Sequence, residues 1–438
     1  MRKPFLLLLV LFGIGSVSSV QAQKYLMDMV DTTNEVGKGL LGVYQKYDHI
    51  KIGGYIQPQF QLASEKGAKS FEGGDFGAQV SNRYMIKRSR IRIDYINFNS
   101  EKRPGVQFVF QFDANERGFT MRDVWGRIFE NKFKLFSFTT GMFARPFGNE
   151  VNYSSSDRES PERGRMSQLL MKSERDLGAM VSFDARKKMD NPFLNKIKVD
   201  LGLFNGQGIN TTGEFDNTKD LIARIYSKPL AITKKWQLNI GTSILYGGLL
   251  QNTKYKYQTG WVGNVKTMVV DSNANNLYAV APRQYYGVEA QLKYKNKVGF
   301  SELRAEYVQG KQSGTAATSE TPAALLTGTD GYHIRNFNGA YFYYVQHLGS
   351  LKHQMVVKYD WYDPNTSVVG NDIGAAGSNL TAANIKYTTL GLGYVNYLTE
   401  NIKLVLYVDK VWNEVTQLKG FTKDVSDDVF TFRIQYRF

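Results

Sequence analysis

The sequence is most informative at first through what it lacks: among 438 residues there is no cysteine, and there are only ten prolines and four histidines. The absence of cysteine excludes disulfides, thiol nucleophiles and cysteine metal sites. The histidines are His49, His333, His347 and His353, and no GxSxG or HExxH motif accompanies them. His333 is the sole candidate for a general base, but the ordinary interpretation is an exposed histidine at the end of a strand, without a catalytic role. We therefore predict no enzyme, no metal ion and no cofactor.

Long apolar runs are also scarce, and the only one lies at the N-terminus. Residues 1–22 begin with a basic pair, continue with an apolar run from Phe5 to Ile14 and end with small or polar residues. This layout is typical of a secretory signal peptide that is cleaved before Gln23. The alternative is a membrane anchor, but a spanning helix needs an apolar run of about 18 residues, and this run has about ten. We predict an exported protein.

Residues 23–48 precede the first predicted strand. Thr32 and Glu35 have the spacing of a capping box, and apolar residues follow them at helical spacing. We predict a periplasmic N-terminal segment with a short helix, and a plug in the mouth of a barrel is the alternative. Because no larger domain precedes the first strand, an energised transporter with a plug domain is not expected.

Aromatic residues are plentiful, with 27 tyrosines and 27 phenylalanines, whereas the mean hydropathy is −0.36. A chain of this length can form two or three soluble domains, but no linker-like boundary interrupts it. A membrane-spanning barrel needs an apolar residue only at every second position, so a low mean hydropathy is compatible with a lipid-facing surface. The net charge is +15, but the basic residues are spread along the chain, so nucleic-acid binding is not expected.

Alternation of polar and apolar residues is the main pattern beyond residue 48. In Val429–Phe438, VFTFRIQYRF, apolar residues alternate with polar ones that include Arg433 and Arg437. In Arg88–Tyr95, RSRIRIDY, isoleucines alternate in the same way with arginines and Asp94. Successive side chains of a strand point to opposite faces, so each segment has one apolar and one charged face. A soluble β-sandwich shows the same alternation, so the lengths of the connections between strands must distinguish a sandwich from a membrane-spanning barrel.

Sixteen strands are predicted, at 50–62, 85–98, 105–114, 119–129, 133–143, 176–184, 196–204, 220–228, 236–246, 284–294, 300–309, 335–346, 352–362, 386–397, 401–412 and 428–438. Short and long connections alternate between them, apart from the short connection 115–118. This is typical of a barrel with short periplasmic turns and long external loops. The last strand must pair with the first, because lipid cannot satisfy a strand edge. We predict an all-β fold, a transmembrane antiparallel β-barrel of about 16 strands over residues 49–438, in the cell outer membrane.

The third long connection, 144–175, stands out by its mixed charges. Its basic residues are interleaved with five acidic ones, and they are Arg145, Arg158, Arg163, Arg165, Lys172 and Arg175. In many sixteen-stranded porins the third external loop folds into the barrel and narrows it, and we predict such a constriction loop here. A solvated surface loop with balanced charge is the alternative.

Several motifs resemble the family of phosphate-selective porins O and P. The stretch GMFARPFGNE (Gly141–Glu150) is followed by SSS, PERGR and RDLGAM, while KIGGYIQPQF (Lys51–Phe60) and KRSRIRIDY (Lys87–Tyr95) match that family's first strands. The resemblance covers the barrel, is strongest over 50–180 and departs at Gly164, where a serine is expected. It implies a homotrimer of sixteen-stranded barrels that pass phosphate or related small anions.

The inward faces of the strands predict the pore lining without that resemblance. The predicted lining residues are Arg88, Arg90, Arg92, Asp94, Arg224, Arg433 and Arg437. Arginine favours anions because the cation replaces part of the hydration that an anion loses on entering a narrow pore. The planar guanidinium also suits phosphate oxygens. We predict an anion-selective diffusion porin with small anions as its solutes.

Other interpretations of the same residues stay open. The arginines can be paired with acidic residues and only stiffen the wall, and the channel can be a general or saccharide-permeable porin. A barrel with adhesive or scaffolding loops would not conduct at all. The net positive charge is also explained by contact of basic loops with outer-membrane lipid headgroups and lipopolysaccharide.

Overall fold

The computed structural model describes residues 49–209, 211 and 213–438. The strands among them belong to one closed sheet. The predicted signal peptide, 1–22, and the predicted periplasmic segment, 23–48, lie outside the described residues. Within the described residues, no helix is long and apolar enough to cross a membrane.

The strands found in the described residues are β1 Ile50–Ala63, β2 Asn82–Phe98, β3 Pro104–Asn115, β4 Gly118–Phe129, β5 Phe136–Ala144, β6 Arg175–Asp184, β7 Ile197–Phe204, β8 Asp220–Ser227, β9 Leu230–Ala231, β10 Trp236–Leu250, β11 Lys256–Val262, β12 Val265–Asp271, β13 Val280–Asn296, β14 Gly299–Gly314, β15 Tyr332–Leu348, β16 Ser350–Asp363, β17 Tyr387–Tyr397, β18 Ile402–Asn413 and β19 Val429–Arg437. One short α-helix, α1 Arg165–Leu170, lies between β5 and β6. All strands except β9, β11 and β12 form the wall, and β1 closes it by pairing with both β2 and β19. The predicted sixteen-stranded antiparallel barrel is confirmed.

The last strand shows how the alternating sequence produces a barrel with polar residues inside. On β19, Thr431, Arg433 and Gln435 are buried, whereas Tyr436 on the other face is 46 % exposed. Gln59 of β1 lies opposite Arg433 in the pairing that closes the wall. This closure leaves no strand edge whose backbone groups would be unpaired in hydrocarbon.

The outward face of the wall is apolar over much of its height. Ile52, Tyr84, Leu203 and Val288 come from strands in different parts of the wall, and each exposes about half or more of its side chain. Exposed apolar surface of this extent is rare on soluble monomers, and it is the normal outer surface of a barrel in lipid. The barrel therefore spans a membrane.

Connections of two lengths leave the barrel at opposite rims. The short turns are 99–103, 130–135, 185–196, 228–235, 297–298, 349 and 398–401. The connections at the other rim are 64–81, 116–117, 145–174, 205–219, 251–279, 315–331, 364–386 and 414–428. The predicted alternation of lengths is confirmed, including its one short exception between β3 and β4. By this pattern the short turns face the periplasm.

The hairpin of β11 and β12 was not predicted, because it lies within a connection that was interpreted as a loop. It extends from the outer rim, and β11 runs parallel to the start of β15, with Lys256 opposite Tyr332. The ring of His333, the candidate general base, stacks on Tyr257 of β11 at 4.3 Å. A two-residue turn with glycine at 263 between two valines is a recognised hairpin signal that the sequence analysis missed.

Candidate functional site

Residues 145–174, between β5 and β6, form an inserted segment that lies inside the barrel. Its residues Phe147, Val151 and Met166 are buried and pack against inward-facing side chains of the wall, including Tyr285 at 6.0 Å between ring centres from Phe147. Helix α1 belongs to this segment and packs on β15 and β16. Most of the apolar core of the molecule is therefore in the lumen, between the inserted segment and the wall.

Glu306 on β14 holds the start of the inserted segment. Its Oε2 accepts hydrogen bonds from the backbone N–H groups of Asn149 at 2.9 Å and Glu150 at 3.3 Å, and from the Tyr341 hydroxyl at 3.0 Å. Gly148 has a φ of +60°, and a Cβ atom there would overlap the Glu306 carboxylate. Glycine is required at this position for both reasons.

Glu162 joins the inserted segment to two wall strands on the opposite side. Arg88 donates to both of its carboxylate oxygens, at 2.9 and 2.6 Å, and Arg433 donates to Oε1 at 2.9 Å. All three side chains are largely buried. Burial opposes the ionisation of Glu162, but Arg88, Lys87 and Arg433 hold its pKa well below the usual range. The carboxylate is therefore charged at neutral pH and offsets one of the two positive charges of Arg88 and Arg433.

Two further acidic residues fix the middle of the inserted segment to the wall. Asp157 accepts a hydrogen bond from Arg437 at 3.0 Å, and Glu159 accepts one from Arg304 at 2.5 Å. Lys403 Nζ donates to two carbonyl oxygens of the segment, at 2.6 and 3.0 Å. The basic side chains of the wall thus hold an acidic stretch of the chain inside the lumen.

The residues predicted to line the pore all have partners in the protein. The ion pairs are Arg88–Glu162, Arg90–Asp113, Arg92–Asp94, Arg224–Glu289, Arg433–Glu162 and Arg437–Asp157, each with a nitrogen-to-oxygen distance of 3.0 Å or less. Much of their charge is balanced locally, as the paired-arginine alternative requires. Arg88, Arg433 and Arg437 pair with acidic residues of the inserted segment and so position it, whereas the other three pairs lie within the wall.

The basic residues of the predicted constriction loop occupy different environments. Lys172 is exposed and pairs with Glu320 at 2.6 Å, while the Arg165 guanidinium lies 3.7 Å from the centre of the Tyr387 ring. Arg145 and Arg163 are buried in the segment, and Arg175 pairs with Asp123 at 3.2 Å. Burial and the neighbouring Arg158 lower the pKa of Arg163 to about 9.

A cavity of about 1160 Å³ lies between the inserted segment and the part of the wall formed by β1–β8. Pro104, Asn131 and Arg186 border it at the short-turn rim, and residues 152–158 of the inserted segment border it inside the barrel. Of the predicted residues, the cavity is bordered by Arg90, Arg92, Asp94, Arg158, Arg175, Arg224 and Arg437.

The charges around this cavity are unequal. Its basic residues are Lys51, Arg90, Arg92, Arg103, Arg122, Arg127, Lys134, Arg158, Arg175, Arg186, Lys198, Arg224 and Arg437. Its acidic residues are Asp94, Asp123, Asp157, Glu174, Asp184 and Asp200. Thirteen basic and six acidic side chains leave an excess of seven positive charges on the lining of a concave space with low-dielectric walls, and three of the basic side chains, Arg90, Arg103 and Arg224, are paired with acidic residues just behind that lining. Such a surface concentrates anions and repels cations.

Five of the basic residues on the cavity lining form no ion pair within the described residues, and two of them, Arg127 on β4 and Arg158 on the inserted segment, lie within the barrel. Arg127 donates a hydrogen bond to the Thr139 hydroxyl at 2.8 Å, and its guanidinium carbon lies 4.9 Å from the centre of the Trp125 ring. Arg158 is 3 % exposed, and in the described chain its Nε and Nη1 have no hydrogen-bond partner. A buried donor without a partner is costly, so an anion that gained access to Nε and Nη1 through a movement of the Arg158 side chain would be stabilised.

Arg127 was missed in the sequence because a bulge alters the alternation along β4. Gln111 of β3 pairs with Asp123 and the next residue of β3 pairs with Met121, so Arg122 is the extra residue. Beyond the bulge Trp125 and Arg127 share the inward face. The segment VWGRIF contains this information, since its small or aliphatic residues alternate with Trp, Arg and Phe.

No family model matches this chain, and no curated protein matches it. Among solved structures, the outer membrane channel DcaP of Acinetobacter baumannii is 11 % identical, with a TM-score of 0.51 over 89 % of this chain and 97 % of that one. OprB of Pseudomonas putida is 8 % identical, with a TM-score of 0.54 over 96 % of this chain and all of that one. These likenesses show the fold of an outer-membrane porin, and a barrel with this outward apolar band belongs in the outer membrane.

Proposed function

We propose that this chain is an outer-membrane diffusion channel whose lumen favours small anions. The observation that carries the proposal is the excess of seven positive charges around the lumen cavity. The anion preference then comes from the field of the whole cavity and from Arg127 and Arg158, while Arg88, Arg433 and Arg437 hold the inserted segment.

The inserted segment is the constriction in this proposal. It is fixed at Glu306 on one side of the wall and at Arg88 and Arg433 on the other, so it is a rigid part of the channel. Phosphate or a related oxyanion is the proposed solute, because a guanidinium fits its oxygens and because of the resemblance to the phosphate-selective family. The homotrimer is part of the same proposal, and that resemblance supports it.

A saccharide-permeable channel is the second candidate, and one observation favours it. Trp125, Phe143, Tyr153 and Tyr226 also border the cavity. Aromatic faces beside polar groups suit neutral solutes that carry both apolar and hydroxyl surfaces. In that case the basic residues would tune the field without deciding which solute passes.

Flux into liposomes distinguishes these functions. The full barrel is reconstituted, and the uptake of phosphate is compared with that of glycerol, a neutral solute of similar size. We expect phosphate to enter several times faster than glycerol, because the positive field raises its concentration in the lumen. Equal rates would support the general or saccharide-permeable porin. No flux of either solute above protein-free liposomes would support an adhesive or scaffolding barrel.

A further inference from the structure

The two rims of the barrel carry opposite charge. The connections at the long-loop rim hold fifteen basic and nineteen acidic residues, whereas the short turns hold twelve basic and four acidic ones. Outside the wall strands, the positive excess of the folded barrel is therefore found at the short-turn rim. The long-loop rim, which would face lipopolysaccharide, has a slight acidic excess.

The excess at the short-turn rim belongs to four adjacent turns, which form a basic arc: 130–135, 185–196, 228–235 and 297–298. The basic residues of this arc are Lys132, Lys134, Arg186, Lys187, Lys188, Lys196, Lys228, Lys234, Lys235 and Lys297. Its acidic residues are Glu130 and Asp190. Lys228 points inward and pairs with Asp184 at 2.8 Å, Lys134 and Arg186 border the lumen cavity, and the other seven basic residues are exposed. The remaining three turns have no net charge.

Each turn of the basic arc also exposes one apolar side chain beside its lysines. These are Phe133 at 55 %, Phe193 at 63 %, Ile232 at 59 % and Val298 at 39 %. Leu398, in a short turn outside the arc, is also 47 % exposed, so what distinguishes the arc is that its exposed apolar side chains lie beside lysines. Alternation of lysine with exposed apolar residues at the end of a membrane-spanning wall is typical of the boundary between headgroups and acyl chains.

We propose that the basic arc binds anionic phospholipid headgroups of the periplasmic leaflet, with the four apolar side chains in the adjoining acyl region. The lysine ammonium groups would contact the lipid phosphates, and the arc spans about half of the rim, so several lipids are held side by side. A soluble acidic partner would explain the lysines but would leave four separate apolar side chains in water. The lipid explains both features.

The test measures lipid binding to the purified full barrel by native mass spectrometry, with phosphatidylglycerol and phosphatidylcholine added separately in detergent. The variant carries Lys187→Gln and Lys188→Gln. The matched control carries Lys419→Gln and Lys423→Gln, which remove two exposed lysines from the long-loop rim. We expect the wild type and the control to prefer phosphatidylglycerol, and the arc variant to bind it about tenfold more weakly or worse.

A second variant, Phe193→Ser, tests the apolar part of the arc, and it is expected to weaken the binding of both lipids while the barrel remains folded. Equal phosphatidylglycerol affinity in the wild type, the arc variant and the control would overturn the proposal. A second result would also overturn it: the barrel binds isolated peptidoglycan, this binding is lost when Lys187 and Lys188 are replaced, and lipid binding is unchanged by the same replacements. That outcome would assign the arc to a carboxylate polymer.

Discussion

Replacing Glu162 by glutamine is expected to lower the free energy of unfolding by about 3–5 kcal/mol. The change leaves Arg88 and Arg433 buried opposite a neutral amide, and both side chains are at most 12 % exposed. Unfolding of the barrel in urea, in lipid vesicles, measures the loss. Because the inserted segment loses one of its attachments, we also expect the conductance of single channels to rise and to fluctuate more.

The matched control is Glu65→Gln, which removes an exposed carboxylate from the first long connection. It is expected to change the unfolding free energy by less than about 0.5 kcal/mol. The wild type should also lose stability in acid. The pKa of Glu162 is depressed in the folded state, so its contribution is present above its unfolded value of about 4.3 and is lost as the pH falls through the folded value. A Glu162→Gln barrel as stable as the wild type at pH 7 would contradict the anchoring role.

Replacing both Arg127 and Arg158 by glutamine is expected to reduce the ratio of anion to cation permeability about fivefold or more. Two charges at the cavity wall act on an anion a few ångströms away, where each interaction is worth about 1 kcal/mol in water and more near protein. Neither arginine forms an ion pair in the described residues, so their removal leaves no carboxylate newly unpaired. Reversal potentials in planar bilayers give the ratio.

The control for this variant removes two positive charges outside the cavity, by Arg117→Gln and Lys419→Gln at the long-loop rim. It should keep the selectivity of the wild type. The paired arginines provide a contrast, because Arg88→Gln is expected to affect stability more than selectivity. Equal selectivity of the Arg127 and Arg158 double variant and its control would mean that these two side chains do not meet the permeating ion.

The barrel itself was predictable because its determinants are local. Alternation decides which face of a strand is apolar, and β19 shows the predicted division between Arg433 inside and Tyr436 outside. The lengths of the connections follow from where the alternation stops. The number of strands, and the rim at which each connection lies, were therefore also predictable. The hairpin of β11 and β12 was not, because it lies in a region whose position depends on packing against another long connection.

The site was less predictable because ion pairing is a property of the folded chain. The sequence places arginines on the inward faces of β2 and β19, but it does not show that Glu162 comes from a segment far along the chain to meet them. Arg127 was hidden by the bulge at Arg122, which alters the alternation within one strand. The basic arc was also hidden, since its lysines come from four separate turns that only the closed barrel brings together.

The reversal potential of the purified wild-type barrel in a planar bilayer, under a gradient of potassium chloride, tests the anion-favouring lumen most directly. We expect a potential of anion-selective sign that falls as the salt concentration rises, because salt screens the field of the cavity. We also expect added phosphate to reduce the chloride current. A potential of cation-selective sign, or none at any salt concentration, would contradict an anion-favouring lumen.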